Sequence, residues 1–156
     1  MKKMFLVFAL AAGLTACNNA NKKETVEQKD TDVVQTETLN TDLFGTDWKL
    51  LELNGIAVKV DTTFKKEPFL MLEKDSGKIN GNGGCNGFMG TYTLKENNEL
   101  ELKLGGSTMM ACPNLELENQ FHEALGQTKS YRIEGNYLML DNADKTPVAK
   151  LEALTK

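Results

Sequence analysis

Apolar residues fall along this chain in three regimes. Met4 to Leu14 is an apolar run behind Lys2 and Lys3. Asn18 to Asp42 then contains no aromatic residue, glycine or proline, while Lys22, Lys23, Glu24, Glu27, Lys29, Asp30, Asp32 and Glu37 fill it with charge. From Leu43-Phe44 onward, aromatic and aliphatic residues return in short groups broken by Gly, Asn and Asp. A helix that crosses a bilayer needs about 20 apolar residues, and the first run stops at roughly half that length. Its basic flank and small trailing residues predict a cleaved export signal over residues 1–16. The second regime buries too little apolar surface to offset its chain entropy. It predicts a disordered polar tether over residues 17–42, which as a flexible coil reaches roughly 25 to 30 Å. A short amphipathic helix is the rival there, but Val26, Val33 and Val34 form no helical stripe.

The third regime, residues 43–156, has the length of one domain with a single core. Trp48-Lys49-Leu50-Leu51-Glu52-Leu53 followed by Asn54-Gly55 predicts a strand ending in a tight turn. Further strands are predicted over Phe69–Glu73, Lys78–Gly81, Gly90–Leu94, Glu99–Leu104, Ser130–Glu134, Tyr137–Asp141 and Val148–Leu154, with turn residues between them that suggest successive hairpins. Glu99 to Leu104 alternates strictly, so one face is expected buried and the other wet. One helix is expected: Pro113-Asn114 supplies a start, Leu117, Phe121, Ala124 and Leu125 recur at helical spacing, and Gly126 supplies a stop. The predicted fold is α+β but mostly β: a small open antiparallel barrel, or a strongly curved sheet, with one main covering helix.

Net charge is −4, and the domain itself keeps a mild acidic excess with no basic stripe. Nucleic-acid binding needs clustered cations to displace counterions, so that class is not expected, nor is a polybasic contact with a membrane. Leu14-Thr15-Ala16-Cys17 resembles the lipobox of bacterial lipoproteins, which implies lipidation at Cys17 after cleavage. Each buried acyl CH₂ contributes about 0.8 kcal/mol, so several chains make a permanent anchor. An unlipidated export signal is the rival, and it leaves the placement of Cys17 unexplained. The expected location is the bacterial cell envelope; Asn18 is not the aspartate that some bacteria use for inner-membrane retention, which favours the outer membrane.

Gly81-Asn82-Gly83-Gly84-Cys85-Asn86-Gly87 is the densest local signal. A phosphate loop would need a Lys and a Ser or Thr leading into a helix, whereas Phe88-Met89-Gly90-Thr91-Tyr92 reads as a strand. Thiol catalysis would need Cys85 or Cys112 as thiolate with a base nearby, and the one histidine, His122, lies beside the apolar stripe of the expected helix. Closed metal sites take ligand pairs at short spacing, and none is present; no metal or cofactor is expected. The remaining reading is structural. Export is to an oxidising compartment, and with Cys17 lipidated, Cys85 and Cys112 make an even count that can pair, contributing roughly 3 to 4 kcal/mol. Two reduced buried thiols are the alternative.

Several of these residues match a family in order and spacing: Trp48 with Leu50; Gly81, Gly84, Cys85 and Asn86; Phe88, Gly90 and Tyr92; Thr108-Met109-Met110-Ala111-Cys112; then Glu118, Phe121 and Leu125. Together they resemble the META domain of HslJ-like bacterial lipoproteins. The resemblance implies an open β-barrel with helical cover, similar in shape to lipid-binding pilot lipoproteins. It implies envelope proteins associated with heat shock or antibiotic tolerance and without an established catalytic activity.

The expected function is therefore a non-catalytic, membrane-anchored module that binds a hydrophobic ligand or an envelope protein. Met71, Met89, Met109, Met110 and Met139 either line an adaptable apolar pocket or fill gaps in the core. An assembly or pilot factor for an outer-membrane or secretion complex is one alternative, and a thiol-dependent enzyme using Cys85 or His122 is another.

Overall fold

The computed structural model describes residues 41–59, 64–113 and 115–154. The signal over 1–16, Cys17 and the tether up to residue 40 lie outside them, as does Asn114 of the expected helix start. Nine strands and one α-helix follow in order: β1 Trp48–Leu53, β2 Ile56–Ala57, β3 Phe69–Leu72, β4 Lys78–Asn82, β5 Gly87–Leu94, β6 Leu100–Ser107, α1 Glu116–Gln127, β7 Ser130–Glu134, β8 Tyr137–Asp141 and β9 Pro147–Ala153. They pair antiparallel in the order β6-β5-β4-β3-β1-β9-β8-β7, with β2 hanging from β1. The sheet curls into a half-barrel whose edges touch where Glu99 bridges Ser130 and the Leu100 amide donates to the Lys129 carbonyl at 3.0 Å.

Alternation within strands decides what fills the concave side. Leu100 and Leu102 are buried while Glu99, Glu101 and Lys103 are exposed, because successive side chains leave a strand on opposite faces. Trp48, Leu50, Leu70, Leu72, Ile79, Phe88, Leu138, Leu140 and Leu151 fill the same space. Helix α1 closes it, burying Phe121, Ala124 and Leu125 on one stripe. Phe121 meets the Phe88 ring edge-on, with centroids 5.9 Å apart. The Trp48 indole donates to the Leu43 carbonyl at 3.0 Å, so its one polar group is satisfied inside the core.

Three expectations are corrected. Strand β5 begins at Gly87 rather than Gly90, because Gly87 to Met89 extend the ladder against Asn80 to Asn82. Helix α1 begins at Glu116, and Leu115 before it makes no side-chain cap. The methionines neither line an inner pocket nor join the core cluster. Met71 and Met139 are half-buried, Met89 is 67% exposed, and Met109 and Met110 sit on an outer loop. Periodicity gives the parity of a strand but not which parity faces inward when both carry apolar residues.

Gly90 sits at a bulge where β5 crosses β6. A Cβ there would lie inside contact distance of the Lys103 carbonyl oxygen and the Leu104 backbone, neither of which can swing away. Gly90→Ala is expected to lose about 2 to 3 kcal/mol through strand separation, read as a lowered urea midpoint. Gly106→Ala, where a Cβ meets nothing within 4 Å, is the control and is expected to leave the midpoint in place.

Candidate functional site

Strand β4 ends at Asn82 and β5 starts at Gly87, and the four residues between them turn tightly at one end of the half-barrel. The turn needs its glycines for two reasons. Gly84 has φ +112 and faces the Phe64 ring, a backbone conformation that side chains resist. Gly83 abuts the Glu118 side chain so closely that a Cβ would overlap its Cγ. The Asn82 side chain accepts from the Gly84 amide at 2.7 Å, and Gly83 donates to the Asn86 carbonyl at 2.9 Å. Both bonds join residues within the turn itself.

Asn86, 3% exposed, is the hub. Its backbone amide and its Nδ2 donate to the two carboxylate oxygens of Glu118, at 2.7 and 2.9 Å. Its Oδ1 accepts from the Thr108 hydroxyl at 2.9 Å and from the Met110 amide at 2.7 Å. The Thr108 amide donates to the Gly87 carbonyl at 2.9 Å. Glu118, 6% exposed, reaches in from the first turn of α1, where a negative charge also suits the helix dipole. Cys85 is 2% exposed and bonded to Cys112, with Cα atoms 6.3 Å apart.

One buried asparagine therefore joins the β4–β5 turn, the loop after β6 and the start of α1, and the disulfide locks the first two together. Out of this fixed base projects Met109, 98% exposed. Residues 108–112 have no regular structure, make no turn or bend and have no positive φ; the segment is held on both sides of Met109.

The other candidate residues lie elsewhere. Trp48, Phe88 and Phe121 are core. Gly81 packs its backbone against Phe69 and the Phe88 ring, and Gly90 marks the bulge. Tyr92 lies toward the opposite end of β5, where its hydroxyl donates to the carbonyls of Glu73 and Lys74 at 2.9 and 3.1 Å and its ring meets Phe44. Burial, then the charge of Asp75, holds its phenol above the ordinary pKa. Ala111 is exposed on the loop.

A catalytic thiol is not available at Cys85, because its sulfur is bonded to that of Cys112. Among the described residues no group of three His, Cys, Asp or Glu side chains is placed to hold a metal ion. His122 lies edge-on to Phe88 with centroids 5.1 Å apart, and its Nε2 is buried without a hydrogen-bond partner. Burial lowers its pKa below the ordinary 6.5, against a smaller upward pull from Glu118. The unfolded chain therefore takes up the proton first as pH falls. Stability is expected to be full above about pH 6.5 and to decline as pH drops toward the folded value. Urea titrations across that window check the slope, and His122→Phe is expected to flatten it.

The family model for the META domain matches residues 41–154. This chain belongs to the META domain family. No curated protein matches it in sequence. Among solved structures, a Burkholderia xenovorans protein determined by NMR is similar over 90% of this chain and all of that one, at 22% identity and TM-score 0.56, which shows a shared fold. A second NMR structure is 28% identical over 69% of this chain and 87% of its own, with TM-score 0.50. A DUF4847 family protein from Bacteroides vulgatus is 18% identical with TM-score 0.45, and only 60% of its length is covered.

Within this META domain, sequence reasoning had picked out Gly84, Cys85, Asn86, Thr108, Cys112 and Glu118, and the fold brings these together. It missed that Gly83 makes room for Glu118, and that the Lys65 amide closes on the Gly84 carbonyl at 3.0 Å. Sequence offered a signal only for Glu118, an acid in a first helical turn, and gave no sign that it is buried.

Proposed function

We propose that this META domain is a non-catalytic docking module, anchored to an envelope membrane through Cys17 and engaging a protein partner through Thr108–Cys112. Residues 17–42 are its tether, and the outer membrane is its preferred location. One observation carries the reading: an apolar side chain that is 98% exposed stands on a loop fixed by a disulfide and a buried hydrogen-bond hub. Met109, Met110 and Ala111 stand exposed side by side, and rigid presentation lowers the ordering cost of binding. Direction supports it as well. Phe44, where the chain enters the sheet, bridges Leu72 at the end of β3 away from Asn82, so the loop lies at the far end of the sheet from Phe44.

A hydrophobic ligand is the second reading. The concave side is filled by Trp48, Phe88 and Phe121, but a trough of about 540 Å³ on the outer face is lined by Glu73, Asn80, Met89, Thr91, Gly105 and Gly106. The deciding experiment places a photo-crosslinking residue at Met109, at Met89, or at exposed Lys103 as control, in the lipidated protein in intact cells. A discrete adduct at position 109 alone is the expected result. Adducts confined to 89 would move the site to the trough, and equal labelling at all three would remove the docking reading. A stoichiometric partner that belongs to a secretion complex would make the module an assembly factor. Cys17→Ser is expected to release the protein from the membrane fraction.

A further inference from the structure

Met109 and the bond that follows it are held in an arrangement with a chemical consequence. Thr108, before Met109, is anchored by its amide on the Gly87 carbonyl and by its hydroxyl on the Asn86 Oδ1. Met110, after it, is anchored by its amide on that same Oδ1. Cys112, two residues further on, is bonded to Cys85. The residues on the two sides of the Met109–Met110 peptide bond are thus independently attached to one rigid base. Between them the chain makes no turn or bend, and every residue from Thr108 to Ala111 is exposed.

We infer that Thr108–Cys112 is a substrate-like inhibitory loop for a serine protease with an apolar primary pocket, Met109 being the side chain that fills the pocket. The inference rests on the docking reading above and names the class of its partner. A long unbranched thioether fits a hydrophobic slot of the chymotrypsin kind, and a segment without turn or bend fits the cleft beside it. Complexes of this type form with little backbone movement, so a loop already held in shape loses little on binding.

The same anchors explain why cleavage would be unproductive. The protease serine Oγ adds to the Met109 carbonyl carbon, the bond to the Met110 nitrogen breaks, and the histidine passes the serine proton to that nitrogen. In an ordinary substrate the new amine diffuses away and water completes hydrolysis. Here the Met110 nitrogen stays hydrogen-bonded to Asn86, and its segment stays tied through Cys112 to Cys85. The amine remains beside the acyl carbon at high effective concentration, so the peptide bond re-forms faster than water attacks.

The test titrates the full chain, purified in detergent, into chymotrypsin and subtilisin, with residual activity read on a small chromogenic peptide and the Met109–Met110 bond followed by mass spectrometry. Saturable inhibition with a persistently intact bond is expected. Met109→Gly is expected to weaken it at least about thirtyfold, the effect of losing a central binding residue. Met109→Lys is expected to transfer inhibition to trypsin, whose pocket carries an aspartate. Neither variant should shift the melting midpoint, since the side chain is 98% exposed. Thr108→Val, which removes one anchor from the hub, is expected to turn the loop from inhibitor toward substrate, with faster cleavage at the same bond.

Rapid cleavage of the unmodified loop at that bond, or no inhibition of either protease in large molar excess, overturns the inference. A cellular adduct at position 109 together with inert behaviour toward both proteases overturns the protease assignment while leaving the docking reading intact.

Discussion

Replacing Cys85 and Cys112 together by alanine is expected to lower stability by about 3 to 4 kcal/mol, because the bridge closes a span of 27 residues that the unfolded chain must otherwise restrain by itself. For a domain of this size that corresponds to a fall in melting midpoint of roughly 10 to 20 °C. The span contains all of β5 and β6, so releasing it loosens the pair of strands at the sheet edge as well as the loop. Thermal melts of the double variant, and of the unaltered protein with and without reductant, check it. Reductant is expected to reproduce the variant's shift and to have no effect on the variant itself. A reductant effect on the variant, or a shift near zero in the variant, would contradict the structural role assigned to the bridge.

Glu118→Ala is expected to lower stability by about 2 to 4 kcal/mol. The carboxylate serves two donors of a buried residue, the Asn86 amide and Nδ2, and removing it leaves both without a partner at a cost of about 1 to 3 kcal/mol each. Glu118→Gln is expected to fall between, since its one amide oxygen satisfies one donor while its NH₂ faces the other. Glu116→Ala, two residues earlier, exposed and bonded on the surface to Gln120, is the comparison and is expected to change stability by less than about 1 kcal/mol. Because Asn86 also holds Met110, the Glu118→Ala variant should show faster hydrogen exchange at the Met110 amide under native conditions. Loss of stability without that exchange would separate the hub's packing from its control of the loop.

The loop and the core are coupled through a short chain of named contacts. Phe121 and Leu125 hold α1 on the sheet, α1 carries Glu118, Glu118 fixes Asn86, and Asn86 fixes both flanks of Met109. A surface residue with no packing of its own is thereby held by the most buried part of the domain.

How much of this was legible beforehand divides along a physical line. Glu99 to Leu104 shows its strand and its wet face because alternation is a property of neighbours. Asn54-Gly55 and Gly135 show their turns because positive φ suits those residue types whatever surrounds them. The cysteine pair was open to counting once an oxidising compartment was inferred. The start of β5 falls at Gly87 and not Gly90 because the glycines on both sides of Phe88-Met89 weaken the local strand signal, and pairing with Asn80 to Asn82 overrides it. Met71 was ambiguous because both parities of β3 are apolar, whereas Met89 shares its parity with Thr91 and Thr93 and is exposed with them.

By itself, then, the amino-acid order determined most of the elements, the turns and the residues eligible for a site, since each depends on contacts between near neighbours. Tertiary structure alone decided that β1 lies between β3 and β9, that Gly90 must remain bare beneath a carbonyl of β6, that Glu118 is buried, and that Asn86 grips both sides of Met109. Those facts join residues far apart in sequence, and no local preference encodes a partner that only folding brings within reach.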